Sequence, residues 1–240
     1  MSSLSSAQEV GHVEGTAGPQ RARRMAESTL PTMPGWLADL EQLVATVRAE
    51  QLSRFLPPAE GGREAAVLLL FGHGPQGRDV VLIQRAATLS SHGGQVAFPG
   101  GVIDPEDDGP VAAALREARE EVGVDTDGIH IIGSLPALYV PPSNFVVTPV
   151  VGWWHTASPV DVVDVGEVHR VERVPIDELL DPRNRFTVRH PSGFTGPGFE
   201  VRDLFVWGFT AGLLSRMFAL VGWDRPWDEE LCRDLPEAAL

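Results

Sequence analysis

The chain has 240 residues, of which 43% are hydrophobic and 22% are charged, a composition typical of a globular protein. This composition excludes a chain that is disordered throughout. The length suits a single domain with one hydrophobic core better than two ordinary domains. The 19 basic residues are outnumbered by 33 acidic ones, which gives a formal net charge of −14. This charge argues against sequence-independent binding to nucleic acid or to an anionic membrane. All basic residues are arginine, which excludes a Schiff-base lysine.

The single cysteine, Cys232, excludes an intramolecular disulfide and a multi-cysteine zinc site, and it favours a reducing compartment. The apolar runs are far shorter than the roughly 20 residues that a membrane-spanning helix needs. The N-terminus has no apolar run typical of a signal peptide, so we expect a cytoplasmic protein. Residues 1–33 are rich in Ser, Gly and Ala and predict a flexible tail. A domain over residues 34–222 and an acidic tail over residues 223–240 are expected to follow.

Hydrophobic periodicity and Gly/Pro punctuation predict both helices and strands along the middle of the chain, in an order that favours an α+β or α/β sandwich. The first helix opens at Pro34 and ends near Gln51, because apolar residues recur there at steps of three and four. A second helix runs from about Pro110 to Val122 and stops at Gly123, a residue that suits a helix C-cap. Strands are predicted over residues 66–71, 79–84, 95–98, 129–135, 146–153 and 167–174, and further helices over 176–180 and 210–221.

Three carboxylates share one face of the second helix. At about 100° per residue, Glu117, Glu120 and Glu121 fall together, opposite an apolar stripe that faces the core. Like charges at these spacings oppose helix formation by about 0.2–0.5 kcal/mol per pair, so something is expected to offset them. One interpretation is a solvated acidic face that is relieved by Arg116 and Arg119. The other is a hard divalent cation such as Mg²⁺ or Mn²⁺, which prefers carboxylate oxygens.

The residues around this helix resemble the Nudix box, G-x5-E-x7-R-E-U-x-E-E-x-G-U, in which U is a bulky aliphatic residue. The sequence runs from a Gly-Gly pair through Asp107 to Arg-Glu-Ala-Arg-Glu-Glu-Val-Gly over residues 116–123. Asp107 stands where the family has Glu, Ala118 is smaller than the usual aliphatic residue, and one extra residue precedes Arg116. The extra residue is similar to the form of the box in the coenzyme A pyrophosphatase branch of the family.

A second segment, just before the box, is similar to the signature of the same branch, LLTxR(S/A)x3Rx3Gx3FPGG. Arg85, Ala86, Gly94 and the run 98–101 match it in position. Ser90 departs from it, because the branch has an arginine there, a residue suited to hold a nucleotide phosphate. Arg85 is then the candidate for the anionic contact, and a surface cation at a strand end is the alternative interpretation.

The resemblance covers roughly residues 36–220 and implies a Nudix αβα sandwich with a mixed β-sheet. Nudix enzymes hydrolyse a diphosphate linked to another group, whose negative charge repels a nucleophile unless cations offset it. The resemblance therefore also implies Mg²⁺ or Mn²⁺ as a cofactor. The metal ligands that it implies are Glu117, Glu120, Glu121 and the carbonyl of Gly100.

Other residues complete the expected chemistry. Arg116 would orient the carboxylates through charge-assisted hydrogen bonds. One of the carboxylates Glu117, Glu120 and Glu121, or Glu167, would take the proton from the attacking water. Glu167 opens a predicted strand, where an ordinary surface glutamate is the alternative. For His92, a hydrogen bond within its own loop is the alternative role. The substrate-binding residues that we expect are Arg85, His92, Gly100 and Gly101.

The branch resemblance implies cleavage of coenzyme A, or of its acyl or oxidised derivatives, to 3′,5′-ADP and 4′-phosphopantetheine or its acyl form. Because Ser90 departs from the branch, hydrolysis of another nucleoside diphosphate derivative, such as ADP-ribose, a dinucleotide or a nucleoside triphosphate, is the alternative. A third hypothesis is a Nudix fold that binds a ligand as a regulator with little turnover. The expected partner is a small molecule, and a homodimer is compatible with the sequence although no residue pattern indicates one.

Overall fold

The computed structural model describes residues 31–89 and 92–236. The predicted N-terminal tail, residues 1–33, therefore lies almost entirely outside the described residues. Ser90 also lies outside them. None of the helices in the described part is both long and apolar enough to cross a membrane. These helices are α1 (Leu37–Thr46), α2 (Ala49–Leu52), α3 (Gly109–Val122), α4 (Ile176–Leu179) and α5 (Gly208–Leu220).

The first eight strands form one mixed sheet. They are β1 (Arg63–Gly74), β2 (Gly77–Arg85), β3 (Val96–Ala97), β4 (Gly100–Val102), β5 (Ile129–Ser134), β6 (Leu138–Val140), β7 (Phe145–Trp154) and β8 (Val168–Pro175). The main path of the sheet runs β3-β2-β1-β7-β5, while β4 pairs with β1, β6 with β7 and β8 with β2. β1 runs parallel to β7 and antiparallel to β2 and β4, which makes the sheet mixed.

The two faces of β1 bury different sets of side chains, because successive residues of a strand point to opposite sides. Leu68 and Leu70 join the apolar cluster beneath α3, together with Ala118. Leu69 and Phe71 join the cluster that includes buried residues of α1 and α5. The sheet therefore lies between helices on both faces, and the predicted αβα sandwich with a mixed sheet is confirmed.

The first predicted helix, over residues 34–51, is divided in the structure. α1 ends at Thr46, and Val47 is extended with φ −70° and ψ 142°. α2 then begins with a hydrogen bond from the backbone N–H of Arg48 to Oε1 of Gln51 at 3.0 Å. This bond satisfies a donor at the new helix start, and the β-branched pair Thr46 and Val47 has low helix propensity. The local sequence therefore favours an interruption that apolar periodicity does not reveal.

A second sheet, which the hydrophobic pattern did not predict, has the strand order β11-β10-β9-β12. Its strands are β9 (Arg185–Arg189), β10 (Thr195–Val201), β11 (Leu204–Val206) and β12 (Cys232–Asp234). β12 lies within residues 223–240, for which the composition predicts an acidic tail. It pairs in parallel with β9, and Leu235 beyond it is only 7% exposed. The C-terminal segment therefore contributes a strand to the fold.

Candidate active site

α3 positions the carboxylates, and the local sequence fixes its two ends. Pro110 occupies the first turn, where its missing N–H leaves no helix hydrogen bond unmade. Gly123 ends the helix in the left-handed region at φ 68°, a conformation that favours glycine. Ala118 and Val122 are buried in the cluster on the sheet. On the acidic side of α3, carboxylates contact the Gly-Gly pair that opens β4.

Glu121 is the most buried of these carboxylates, with 1% of its surface exposed. Its Oε2 accepts a hydrogen bond from the backbone N–H of Gly100 at 2.9 Å. Its Oε1 has no hydrogen-bond partner among the described residues and lies 3.9 Å from Nη1 of Arg85. Burial raises the pKa of Glu121 to about 8, although the Gly100 N–H and the Arg85 guanidinium act to lower it. A buried carboxylate with such a perturbed pKa is typical of a functional site.

Gly100 holds its N–H in place because β4 pairs closely with β1. Its φ is 150°, and a Cβ at this position would lie 2.3 Å from the carbonyl oxygen of Ala66 and 2.6 Å from Cα of Val67. Both atoms belong to the backbone of a central strand and cannot easily move. Glycine is therefore required here, and the predicted site residue Gly100 contacts Glu121 through its main chain.

Glu117 is held against the second glycine of the pair, and its side chain is 15% exposed. Its Oε1 accepts a hydrogen bond from Nη1 of Arg116 at 3.0 Å. A Cβ on Gly101 would lie 2.5 Å from the same oxygen, so the carboxylate fills the space that a side chain at Gly101 would take. Burial raises the pKa of Glu117, while Arg116 acts to lower it. Two of the three predicted carboxylates thus face the Gly-Gly pair.

Arg116 joins the carboxylates to the loop that precedes the helix. Its Nε and Nη2 donate to the two carboxylate oxygens of Asp107 at 3.0 and 2.9 Å, a bidentate pair. Its Nη1 donates to Glu117 and to Glu120, both at 3.0 Å. Hydrogen bonds from Arg116 lower the pKa of Asp107, and those to Asp107 raise the pKa of Arg116. The sequence analysis did not predict that Asp107 anchors Arg116. Its position in the Nudix box, where the family has Glu, was the feature that could have indicated this role.

Three further predicted site residues, Glu120, Arg85 and His92, differ in how closely they contact the buried carboxylates. The side chain of Glu120 is 59% exposed and contacts Arg116. Arg85 ends β2, its side chain is 21% exposed, and its buried Nε has no hydrogen-bond partner within residues 31–89 and 92–236. Nδ1 of His92 lies 3.0 Å from Oε1 of Gln95, a contact within its own loop. The structure therefore brings Arg85 to Glu121 and shows a loop contact for His92.

Glu167 is exposed and lies immediately before β8 rather than within it. Its carbonyl accepts a hydrogen bond from the N–H of Ala86 at 2.8 Å, which ties it to the residue after Arg85. Burial is the main cause of the raised pKa of Glu117 and of Glu121, and the negative charge of Glu167 raises both further. The main chain therefore places Glu167 beside the end of β2, and the role of its carboxylate in the reaction stays a prediction.

The segment that carries this site matches a known family. Residues 62–192 match the family model described as the NUDIX domain. The chain belongs to the Nudix hydrolase family. A curated relative from Citrobacter koseri, named uncharacterized Nudix hydrolase NudL, is 34% identical over 209 residues, which cover 82% of this chain and 98% of the relative. A relative of the same name from Cronobacter sakazakii is 38% identical over 167 residues, which cover 67% of this chain and 83% of the relative.

A solved structure of a Nudix hydrolase from M. smegmatis, RenU, is 21% identical, covers 71% of this chain and 92% of its own, and gives a TM-score of 0.49. As a Nudix hydrolase, the protein acts on diphosphate bonds. Nudix proteins bind small-molecule substrates and generally use divalent cations. In this Nudix hydrolase the box residues lie on β4, on the loop that follows it and on α3.

The carboxylates of the Nudix box fit a divalent cation by their chemistry. In the described residues, no group of three or more His, Cys, Asp or Glu side chains is arranged to hold a metal ion. Two of the carboxylates, Glu117 and Glu120, instead accept hydrogen bonds from Nη1 of Arg116. Carboxylate oxygens are nevertheless the ligands that a hard cation prefers, and they include Oε1 of Glu121, which has no hydrogen-bond partner in the part of the chain that the structure describes, and the oxygens of Glu117. Glu117, Glu120, Glu121 and the Gly100 carbonyl stay the predicted ligands.

Gly101→Ala is expected to lower kcat/KM by about tenfold, because the new Cβ would displace the carboxylate of Glu117. The carboxylate is the end of a flexible side chain, so it moves and the fold persists. The measurement is steady-state hydrolysis of a diphosphate substrate over a series of Mn²⁺ concentrations. Gly212→Ala on α5 is the matched control, since nothing lies within 4 Å of a Cβ at that position. Equal activity in the two variants would contradict the prediction that hydrolysis needs the carboxylate of Glu117 in its place beside Gly101.

Proposed function

We propose that this Nudix hydrolase cleaves the diphosphate of coenzyme A or of its derivatives to 3′,5′-ADP and 4′-phosphopantetheine or its acyl form. The observation that carries the proposal is the contact between the branch-like segment, residues 85–101, and the Nudix box. Arg85, at the start of the segment, lies 3.9 Å from Glu121, and Gly100, near its end, donates to the same carboxylate at 2.9 Å. The residues that carry the branch resemblance therefore converge on one carboxylate of the box.

Hydrogen bonds close the base of the loop that joins Arg85 to Gln95. The N–H of Arg85 donates to the carbonyl of Gln95 at 2.9 Å, and the N–H of Gly94 donates to the carbonyl of Arg85 at 3.1 Å. Nε2 of Gln84 donates to the carbonyl of Gly94 at 3.3 Å. These bonds hold the main chain of Arg85 beside β3, so its guanidinium stays near Glu121. A guanidinium in this place suits a bidentate contact with a phosphate of the substrate.

The proposed reaction consumes one water. Its oxygen forms a bond to one phosphorus of the P–O–P unit, and the bond from that phosphorus to the bridging oxygen breaks. One proton of the water passes to a carboxylate, and the bridging oxygen leaves with the other phosphate. The proposed candidates for this carboxylate are Glu117, Glu120, Glu121 and Glu167. A divalent cation, when bound, supplies positive charge that offsets the phosphate charge and activates water. Arg116 keeps the carboxylates oriented, and Arg85 binds the anionic substrate.

The test is incubation of the purified protein with coenzyme A and Mg²⁺ or Mn²⁺, beside ADP-ribose and nucleoside triphosphates, with products identified by mass. The expected result is release of 3′,5′-ADP that EDTA abolishes, because the proposed chemistry needs a cation. Cleavage of another diphosphate with coenzyme A left intact would overturn the proposal, and Ser90→Arg would then be the first exchange to make. Binding without metal-dependent turnover would favour the ligand-binding regulator.

A further inference from the structure

Thr210 connects the last helix to the strand that leads into the active site. It is 4% exposed and is one of four buried polar or charged residues in the described part of the chain, together with Asp79, Glu121 and Arg185. Its Oγ1 donates to the carbonyl oxygen of Val96 at 3.0 Å, across 114 positions of sequence. A threonine hydroxyl in a helix can bond to its own turn, so a hydroxyl that reaches another element makes a specific tertiary contact.

The strand that receives this hydrogen bond is short. β3 contains only Val96 and Ala97, and it pairs with Ile83 and Gln84 of β2. β3 stands at one end of the main path of the sheet. A two-residue strand at a sheet edge has few backbone hydrogen bonds to fix it, and Thr210 adds one from outside the sheet. The hydroxyl therefore holds β3 to α5.

β3 separates two contacts of the active site. Gln95, directly before it, accepts the backbone N–H of Arg85 at 2.9 Å. Gly100, three residues after Ala97, donates to Glu121 at 2.9 Å. A shift of β3 would therefore move the main chain of Arg85 and the N–H of Gly100 together. The guanidinium carried by Arg85 and the N–H of Gly100 both meet Glu121: Nη1 of Arg85 lies 3.9 Å from Oε1, and the N–H of Gly100 donates to Oε2.

We propose that Thr210 is a positioning residue for hydrolysis, because its hydrogen bond to Val96 sets the place of β3 and thereby the approach of Arg85 and Gly100 to Glu121. The inference rests on the proposed function for its kinetic consequence. Thr210 acts through β3 and is not itself a catalytic residue. Misplacement of a reacting group by about 1 Å can lower a rate by about 100-fold, so a single buried hydrogen bond at this place has a measurable effect.

The kinetic test compares Thr210→Val, which replaces the hydroxyl by a methyl group of similar size, with Thr210→Ser, which keeps the hydroxyl. On the best diphosphate substrate of the wild-type protein, Thr210→Val is expected to lower kcat/KM about tenfold, and Thr210→Ser to stay within about threefold. Thr210→Ala is a second variant with the same expectation as Thr210→Val. The matched control is Thr187→Val, since Oγ1 of Thr187 donates to the carbonyl of Glu229 at 2.7 Å in the small sheet. This control is expected to change thermal stability alone.

A second measurement reads the site without turnover. The amide proton of Gly100 donates to Glu121, so its NMR chemical shift and its hydrogen-exchange rate report this contact. Both are expected to change in Thr210→Val and to match the wild type in Thr210→Ser and Thr187→Val. An unchanged Gly100 amide, or equal kcat/KM in Thr210→Val and Thr187→Val, would overturn the inference. Failure of the proposed function is a distinct outcome, because it shows as coenzyme A left intact by the wild-type protein.

Discussion

Glu121→Gln is expected to lower kcat about 100- to 10,000-fold while the protein stays folded. Glu121 is 1% exposed, and its Oε1 has no hydrogen-bond partner in the described part of the chain. Glutamine keeps the size of the side chain and an oxygen that can accept the N–H of Gly100. It removes the ionisable carboxyl group, so the side chain can neither become negatively charged nor take up a proton. The loss is measured by steady-state hydrolysis at a saturating concentration of the diphosphate substrate that the wild-type protein cleaves, with a divalent cation present.

The stability of this variant separates a chemical role of Glu121 from a structural one. Burial disfavours the ionised carboxylate in the folded protein, which is why the pKa of Glu121 rises to about 8. A neutral amide removes this unfavourable contribution, so the midpoint of thermal unfolding is expected to match or exceed that of the wild type. Glu50→Gln, at an exposed position of α2, is the matched control and is expected to keep full activity. Near-normal turnover in Glu121→Gln would remove Glu121 from the proposed site.

The convergence of the carboxylates could be predicted from sequence because it depends only on helical spacing. Glu117, Glu120 and Glu121 indeed lie on one side of α3, and Arg116 contacts the first two. Spacing could not predict which carboxylate is buried. Glu121 is 1% exposed, whereas the side chain of Glu120 is 59% exposed. The difference arises from the pairing of β4 with β1, which brings Gly100 onto Glu121 and is a tertiary contact.

The small sheet shows why part of the fold could not be predicted. β10 contains Gly196, Pro197 and Gly198, residues that indicate a turn when only the local pattern is considered. A Cβ on Gly198 would lie 2.5 Å from Cγ2 of Val188, so close packing of β10 on β9 favours glycine there. The long strands β1 and β7 were predictable because both are rich in aliphatic residues, in an unbroken run in β1 and in a run interrupted only by Thr148 and Pro149 in β7. In β10 the deciding contact comes from the neighbouring strand.

Asp224→Ala is expected to lower the free energy of unfolding by about 3 kcal/mol, because it leaves a buried guanidinium without its carboxylate. Arg185, at the start of β9, is 1% exposed, and its Nη1 pairs with Asp224. Its Nη2 donates to Oγ of Ser215 at 2.9 Å, and its guanidinium carbon lies 4.7 Å from the ring centroid of Trp227. Neither neighbour supplies a negative charge. The measurement is urea unfolding at neutral pH.

Asp234→Ala is the matched control, since Asp234 pairs with Arg189 in the same C-terminal segment while their side chains are 81% and 55% exposed. An exposed pair contributes about 1 kcal/mol or less. Arg185→Met in the Asp224→Ala background removes the buried charge and is expected to recover part of the lost stability. Equal destabilisation by Asp224→Ala and Asp234→Ala would contradict the argument. A larger loss of stability in Asp224→Ala than in Asp234→Ala would indicate that the C-terminal segment is part of the folded domain, because its detachment would leave the charge of Arg185 buried and unpaired.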